Sequence, residues 1–124
     1  MPDERILLVE DNALNMKLLR DVLVATGYHT IEATTGGDAV SLATEHVPSL
    51  VLMDIELPDI DGVETLHRLR ADARTTDIPV VAVTAQAMRG DRERFLAEGF
   101  DGYVAKPVDL RELLASVRFY CGAA

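Results

Sequence analysis

The sequence predicts an α/β protein of three layers, a doubly wound sheet of five parallel strands between helices, and three observations carry that reading. Five short apolar runs alternate with stretches of helical spacing along the chain, the pattern of repeated strand–helix–strand crossovers. Three of the runs are nearly continuous in Val, Ile and Leu and do not alternate with polar residues, as strands covered on both faces do. The 124 residues suit one domain, 1–124. Folding a chain of that size removes roughly 65–70% of its surface from water, enough for an apolar core without disulfides or structural metal.

In chain order, 6–9 is the first strand, and Leu14, Leu18 and Val22 give the spacing of a helix that ends at Gly27, where a left-handed residue is wanted. Strand 28–33 follows, then a helix over 36–46, strand 50–53 and a helix over 62–71 that starts at Gly62. Strand 80–83 leads to a charge-rich helix over 88–98. Its apolar stripe is only Phe95 and Leu96, so it is expected to be the least firmly packed, with Gly99 at its end. The last strand is 103–105. Asp109, with Glu112 three residues on, forms a capping pair for a final helix carrying Leu110, Leu113, Leu114 and Val117. Cys121, on the same face as Leu114 and Val117, reads as packing, as do Met16 and Met88.

Composition removes several functions. Twelve Lys and Arg against twenty-one Asp and Glu leave a net charge of −9, which repels phosphate backbones and anionic lipid, so no nucleic-acid partner is expected. The longest apolar stretches are a few residues, far below the roughly 18–20 that cross a bilayer. A single cysteine cannot form an internal bridge, and the amino terminus carries no secretory pattern, so the expected compartment is cytoplasmic. The Met1 start and the short tail after Cys121 fit a complete protein.

In an open sheet of this kind the ligand site lies beyond the carboxyl ends of the strands. There the chain places Glu10 and Asp11 after the first run, Asp54 after the third, Thr84 after the fourth, and Lys106 and Pro107 after the fifth. Alone, each of Glu10, Asp11 and Thr84 reads as an ordinary loop residue or helix cap. Together they make a site. If the first and third strands are neighbours, three carboxylates converge and call for a cation. Oxygen ligands with no thiolate or imidazole among them favour Mg²⁺, and His29, His46 and His67 are not spaced as a transition-metal cluster. A carboxylate beside Mg²⁺ is a competent nucleophile toward phosphorus, the Lys106 ammonium offsets charge on phosphoryl oxygens, and Thr84 can donate a hydrogen bond. Phosphorylation of an aspartate follows.

The motifs Val9-Glu10-Asp11-Asn12, Met53-Asp54-Ile55-Glu56-Leu57-Pro58 with Gly62, Val83-Thr84-Ala85 and Ala105-Lys106-Pro107-Val108 occur in order along the whole chain. The arrangement resembles the receiver domain of bacterial two-component response regulators, and the runs 11–19 and 79–85 resemble its stand-alone cell-division branch in alphaproteobacteria. That resemblance implies a CheY-like sheet order of 2-1-3-4-5, with Asp54 as phosphoacceptor. It implies Mg²⁺ held directly by Asp11, through water by Glu10, by Asp54 and by the backbone carbonyl of Glu56. Thr84 and Lys106 would contact the phosphoryl group, Tyr103 would change rotamer when Thr84 moves, and Lys106–Pro107 would be a cis peptide. The implied donor is a phosphohistidine on a histidine kinase or phosphotransfer protein docked near the first helix. The receiver would then be a signalling domain with autocatalytic phosphotransfer and autodephosphorylation, and no output domain is appended. Downstream partners would read the surface over 88–103, and Glu56 and Gln86 would tune hydrolysis. Asn15, one turn into the first helix, could anchor the Asp11 loop or face a kinase.

Three rivals remain open at this level. Asp54-x-Glu56 resembles the two-acid motif of haloacid dehalogenase-like phosphohydrolases, although Leu57-Pro58 follows at once and no cap segment is available. A flavin carrier of similar topology needs a phosphate cradle after the first strand, which Glu10 and Asp11 would repel. The chain could also be a receiver excised from a hybrid histidine kinase.

Overall fold

The computed structural model describes residues 4–85 and 91–121. Strand and helix alternate throughout: β1 (Arg5–Val9), α1 (Ala13–Thr26), β2 (His29–Ala33), α2 (Gly36–His46), β3 (Leu50–Asp54), α3 (Gly62–Ala71), β4 (Val80–Thr84), α4 (Asp91–Glu98), β5 (Gly102–Ala105) and α5 (Leu110–Cys121). The strands form one sheet in the order β2-β1-β3-β4-β5, parallel at every pairing. The order is the one implied by the family resemblance. Two strands end one residue later than their apolar runs, so Asp54 and Thr84 close β3 and β4 from within. Tyr28, expected in the second strand, precedes it and is buried.

Period-two alternation along the strands builds two cores. Leu7, Val9, Val51, Met53 and Ala82 pack on one face with Ala39 and Ala43 of α2, Leu66 and Leu69 of α3 and Phe95 of α4. Ile6, Leu8, Leu50, Leu52, Val81 and Val83 pack on the other with α1 and α5, the latter through Leu113 and Val117. Both faces being covered explains why β3 and β4 read as unbroken apolar runs.

The α1 stripe is not the expected one. Met16, Leu19 and Leu23 face the sheet, while Leu14 is 78% and Leu18 45% exposed. Apolar residues stand on two sides of this helix at helical spacing, and only the sheet decides which side is inside. Met16 fills the core as expected; Met88 lies outside the described residues.

Capping residues set the helix ends. Asn12, Thr35 and Asp61 accept the amides of Asn15, Asp38 and Glu64. Asp109 accepts those of Arg111 and Glu112, and Gly27 closes α1 at φ 105°. Helix α4 is short, with Phe95 buried and Leu96 largely exposed; 88–90, expected to begin it, lies outside the described residues. Its far end is held by Arg70 of α3, which donates to the Ile78 carbonyl at 2.6 Å, the Gly99 carbonyl at 3.3 Å and the Asp101 carboxylate at 2.8 Å.

The corrected stripe has a measurable consequence. Leu23→Ala should cost about 2–5 kcal/mol in urea unfolding, whereas Leu14→Ala should stay within about 0.5 kcal/mol of the parent; equal losses would contradict this packing.

Candidate functional site

The site forms where β1 and β3 lie side by side. Val9 pairs with Met53, so the next residues on each strand, Glu10 and Asp54, emerge together, with Asp11 one step further on. Both Glu10 and Asp54 are buried, Asp11 is exposed, and carboxylate oxygens of all three lie within 4.8 Å of one another. Pairing of Thr84 with Ala105 carries Lys106 to the same edge, and its N–H donates to the Thr84 carbonyl at 2.8 Å.

Each buried acid divides its oxygens in the same way. Glu10 accepts the Asn12 N–H at 3.2 Å on Oε2 and the Lys106 ammonium at 2.6 Å on Oε1. Asp54 accepts the Glu56 N–H at 3.1 Å on Oδ1 and faces Lys106 Nζ at 3.4 Å with Oδ2. Burial alone would lower the affinity of Lys106 for its proton, but the hydrogen bond to Glu10 and the charges of Asp54 and Glu10 outweigh it, and the ammonium is held above its ordinary range.

The other expected residues are placed as follows. Thr84 is fully buried at the end of β4. Tyr103 on β5 is half-buried and stacked on Phe95, with centroids 5.8 Å apart and planes at 22°. Lys106–Pro107 is cis. The Glu56 side chain is exposed, and Gln86 lies outside the described residues. Asn15 is half-buried, with its N–H on Asn12. Cys121 is half-buried, and burial, followed by Glu4, pushes its thiol up to about 11, in keeping with packing rather than reactivity. His29, His46 and His67 lie outside the carboxylate group.

Local backbone requirements hold Asp54 in place. A Cβ at Gly62 would lie 2.8 Å from both the Asp54 carbonyl and the Ile55 Cα, so only glycine lets α3 begin this close to the strand end. Sequence reading missed Asp59. Its carboxylate accepts the N–H groups of Gly36 and Gly37 at 2.8 and 2.9 Å, and those bonds hold it at about 2. Two consecutive glycines at the start of α2 were the available signal.

The family model for the response regulator receiver domain matches residues 6–118. The chain belongs to the response regulator receiver family. Among its relatives, the polar-differentiation response regulator DivK of Brucella ovis is 45% identical over 119 residues, covering 96% of this chain and 97% of that protein. DivK of Brucella anthropi matches at the same identity and coverage. Among solved structures, the receiver domain of a sensor histidine kinase from Pseudomonas aeruginosa, with a magnesium ion coordinated in its active-site cleft, superposes with a TM-score of 0.90 at 35% identity, covering 98% of this chain and 99% of that one. A response regulator from Chloroflexus aurantiacus gives 0.91 at 28% identity, covering 97% and 98%. Family membership replaces the phosphohydrolase and flavin-carrier readings, and the receiver cluster of Glu10, Asp11 and Asp54 offers the hard oxygen donors that suit Mg²⁺.

Because the folded receiver raises the proton affinity of Lys106, this group stabilises the fold fully below its unfolded value of about 10.4, and the contribution is lost as pH rises through the higher folded value. Lys106→Met should therefore cost about 1–3 kcal/mol at pH 7 by leaving two buried acids without their shared donor. The gap to the parent, followed by denaturant unfolding, should narrow as pH rises above about 10.4; a gap that stays constant would contradict the pairing.

Proposed function

We propose that this receiver accepts a phosphoryl group on Asp54 from a phosphohistidine of a histidine kinase or phosphotransfer protein, with Mg²⁺ held by Glu10, Asp11, Asp54 and the Glu56 carbonyl. The observation that carries the reading is the convergence of three carboxylates and one ammonium at the ends of β1, β3 and β5. Mg²⁺ bound there would neutralise charge on the carboxylates and on the phosphoryl oxygens. Asp54 supplies the nucleophilic oxygen: an O–P bond forms as the N–P bond of phosphohistidine breaks, and the departing imidazole keeps the electron pair and takes up a proton. Lys106, 3.4 Å from Asp54 Oδ2, donates to the phosphoryl oxygens with the Thr84 hydroxyl. Water later reverses the modification at phosphorus, with Glu56 and Gln86 steering it, so the domain is autocatalytic rather than a turnover enzyme.

Docking of the donor near α1 has direct support. Leu14 and Leu18 are exposed there, and Leu18 lines a cavity of about 150 Å³ with Glu10, Asn15, Lys106, Pro107 and Val108. An apolar surface beside the acceptor suits a helical protein partner. Signal output runs by protein contact over 88–103, where Tyr103 answers movement of Thr84. A cell-division role follows the likeness to DivK. The negative charge argues against nucleic acid as the reader. No helix among the described residues is long and apolar enough to cross a membrane, in keeping with a cytoplasmic site of action.

Incubation with acetyl phosphate and Mg²⁺, followed by mass spectrometry, should add one phosphoryl group to the parent and none to Asp54→Asn. Undiminished labelling of the variant would move the acceptor elsewhere. Tyr103→Ala should be labelled as fully as the parent while losing discrimination: on phosphorylation, backbone amide shifts over 93–105 should shrink relative to the parent. Shifts of parental size would remove Tyr103 from the switch.

A further inference from the structure

After Glu56 the chain runs through 57–61 before α3 begins, and Asp59 ties this loop to a distant part of the fold. Its Oδ1 accepts the Gly36 N–H at 2.8 Å and its Oδ2 the Gly37 N–H at 2.9 Å, so one carboxylate grips the first turn of α2. The approach is close. A Cβ at Gly36 would stand 2.4 Å from Ile60 Cγ1 and Thr65 Oγ1, and one at Gly37 would stand 3.2 Å from Asp59 Oδ2. The helix already has its own cap, since Thr35 accepts the Asp38 N–H at 3.1 Å. Asp59 is therefore an additional tether between loop and helix.

The loop is pinned at two further points, one on Asp54 and one on Ile55 beside it. The Glu56 N–H is bonded to Asp54 Oδ1 at 3.1 Å, and the Gly62 N–H returns to the Ile55 carbonyl at 2.8 Å. Near Asp54 the loop is thus held by the site itself, and three residues beyond Glu56 it is held by α2.

We propose that Asp59 is a positioning residue for the cation site: by tethering the loop to α2 it fixes the backbone path at Glu56 and so the direction of the carbonyl offered to Mg²⁺. The inference rests on the metal reading given above. A backbone donor contributes fully only if its orientation is set before the ion arrives, which is why partners behind a metal ligand change affinity without touching the metal. Linkage makes the coupling reciprocal. Cation binding tightens the hold of Asp59 on Gly36 and Gly37 as much as that hold favours the cation.

The test is a Mg²⁺ titration followed by backbone amide NMR of the unphosphorylated full chain. In the parent, the Gly36 and Gly37 amides should shift with the same midpoint as the amide of Asp11. Asp59→Ala should weaken Mg²⁺ binding by about tenfold, the lower end of what partners behind metal ligands contribute, and Asp59→Asn, which keeps one acceptor oxygen, should fall between. Thr35→Ala weakens the same helix terminus without touching the loop and should bind Mg²⁺ as the parent does. Repeating the comparison near 1 M KCl, where the screening length falls to about 3 Å, separates orientation from loss of a nearby charge. The ratio should persist. Parental affinity in Asp59→Ala, an equal loss in Thr35→Ala, or a ratio that collapses in salt would each overturn the proposal. Absence of Mg²⁺ binding by the parent would instead overturn the metal reading and take this inference with it.

Discussion

Three carboxylates and one ammonium share a small space at the carboxyl edge of the sheet, and most of the molecule can be understood as what keeps them there. Glu10 and Asp54 are buried, with Asp11 within 4.8 Å. Like charges at that range repel strongly, more so where protein replaces water. The arrangement persists because the sheet imposes it: β1 and β3 are adjacent and parallel, so whatever follows Val9 and Met53 must emerge together. Lys106, fixed by β5 and the Thr84 carbonyl, reduces the repulsion without abolishing it. A pocket left short of positive charge is one suited to a cation.

The two sides of the sheet are held unequally. On the α1/α5 side, Leu19, Leu23, Leu113 and Val117 are buried against the strands. On the other side α2 and α3 are comparably seated, and among the described side chains of α4 Phe95 is the buried one. Phe95 packs edge-on with Phe100 and face-on with Tyr103, and it borders a cavity of about 590 Å³ shared with Ile55, Leu57 and Val63. The carboxyl end of α4 is clasped through Gly99 and Asp101 by Arg70. Helix α4 is short and packs through Phe95 next to the strand that carries Tyr103.

Much of this was legible in the chain. Parallel strands announce themselves when both faces are covered, so β1, β3 and β4 were readable from unbroken apolar runs. The residues at their ends were readable because polar groups of complementary chemistry followed four different strands. The α1 face was not, because Leu14 and Leu18 have the same spacing as the Met16, Leu19 and Leu23 set; a helix with two apolar sides needs its tertiary surroundings to say which side is core. Leu18, of the exposed set, lines a cavity with Glu10 and Lys106. Asp59 was illegible for another reason. Its partners are backbone amides more than twenty residues away, and an interaction with backbone leaves almost no trace in side-chain pattern beyond the small residues that permit the approach.

Charge gives the phosphoacceptor reading a structural consequence. Lys106 bonds Glu10 at 2.6 Å and Asp54 at 3.4 Å, so its closer partner is Glu10. Under the phosphoacceptor reading, modification of Asp54 brings roughly −1.5 to −2 further charge and several acceptor oxygens into the space beside that ammonium. Those oxygens then compete with Glu10 for the same donor. An ammonium has three N–H groups, so in that reading the added oxygens would draw Lys106 from Glu10 toward Asp54, and Thr84, buried at the end of the neighbouring strand, would be offered the same oxygens. In that reading the change would fall on β4 and β5, the latter carrying Tyr103, which stacks on Phe95 of α4.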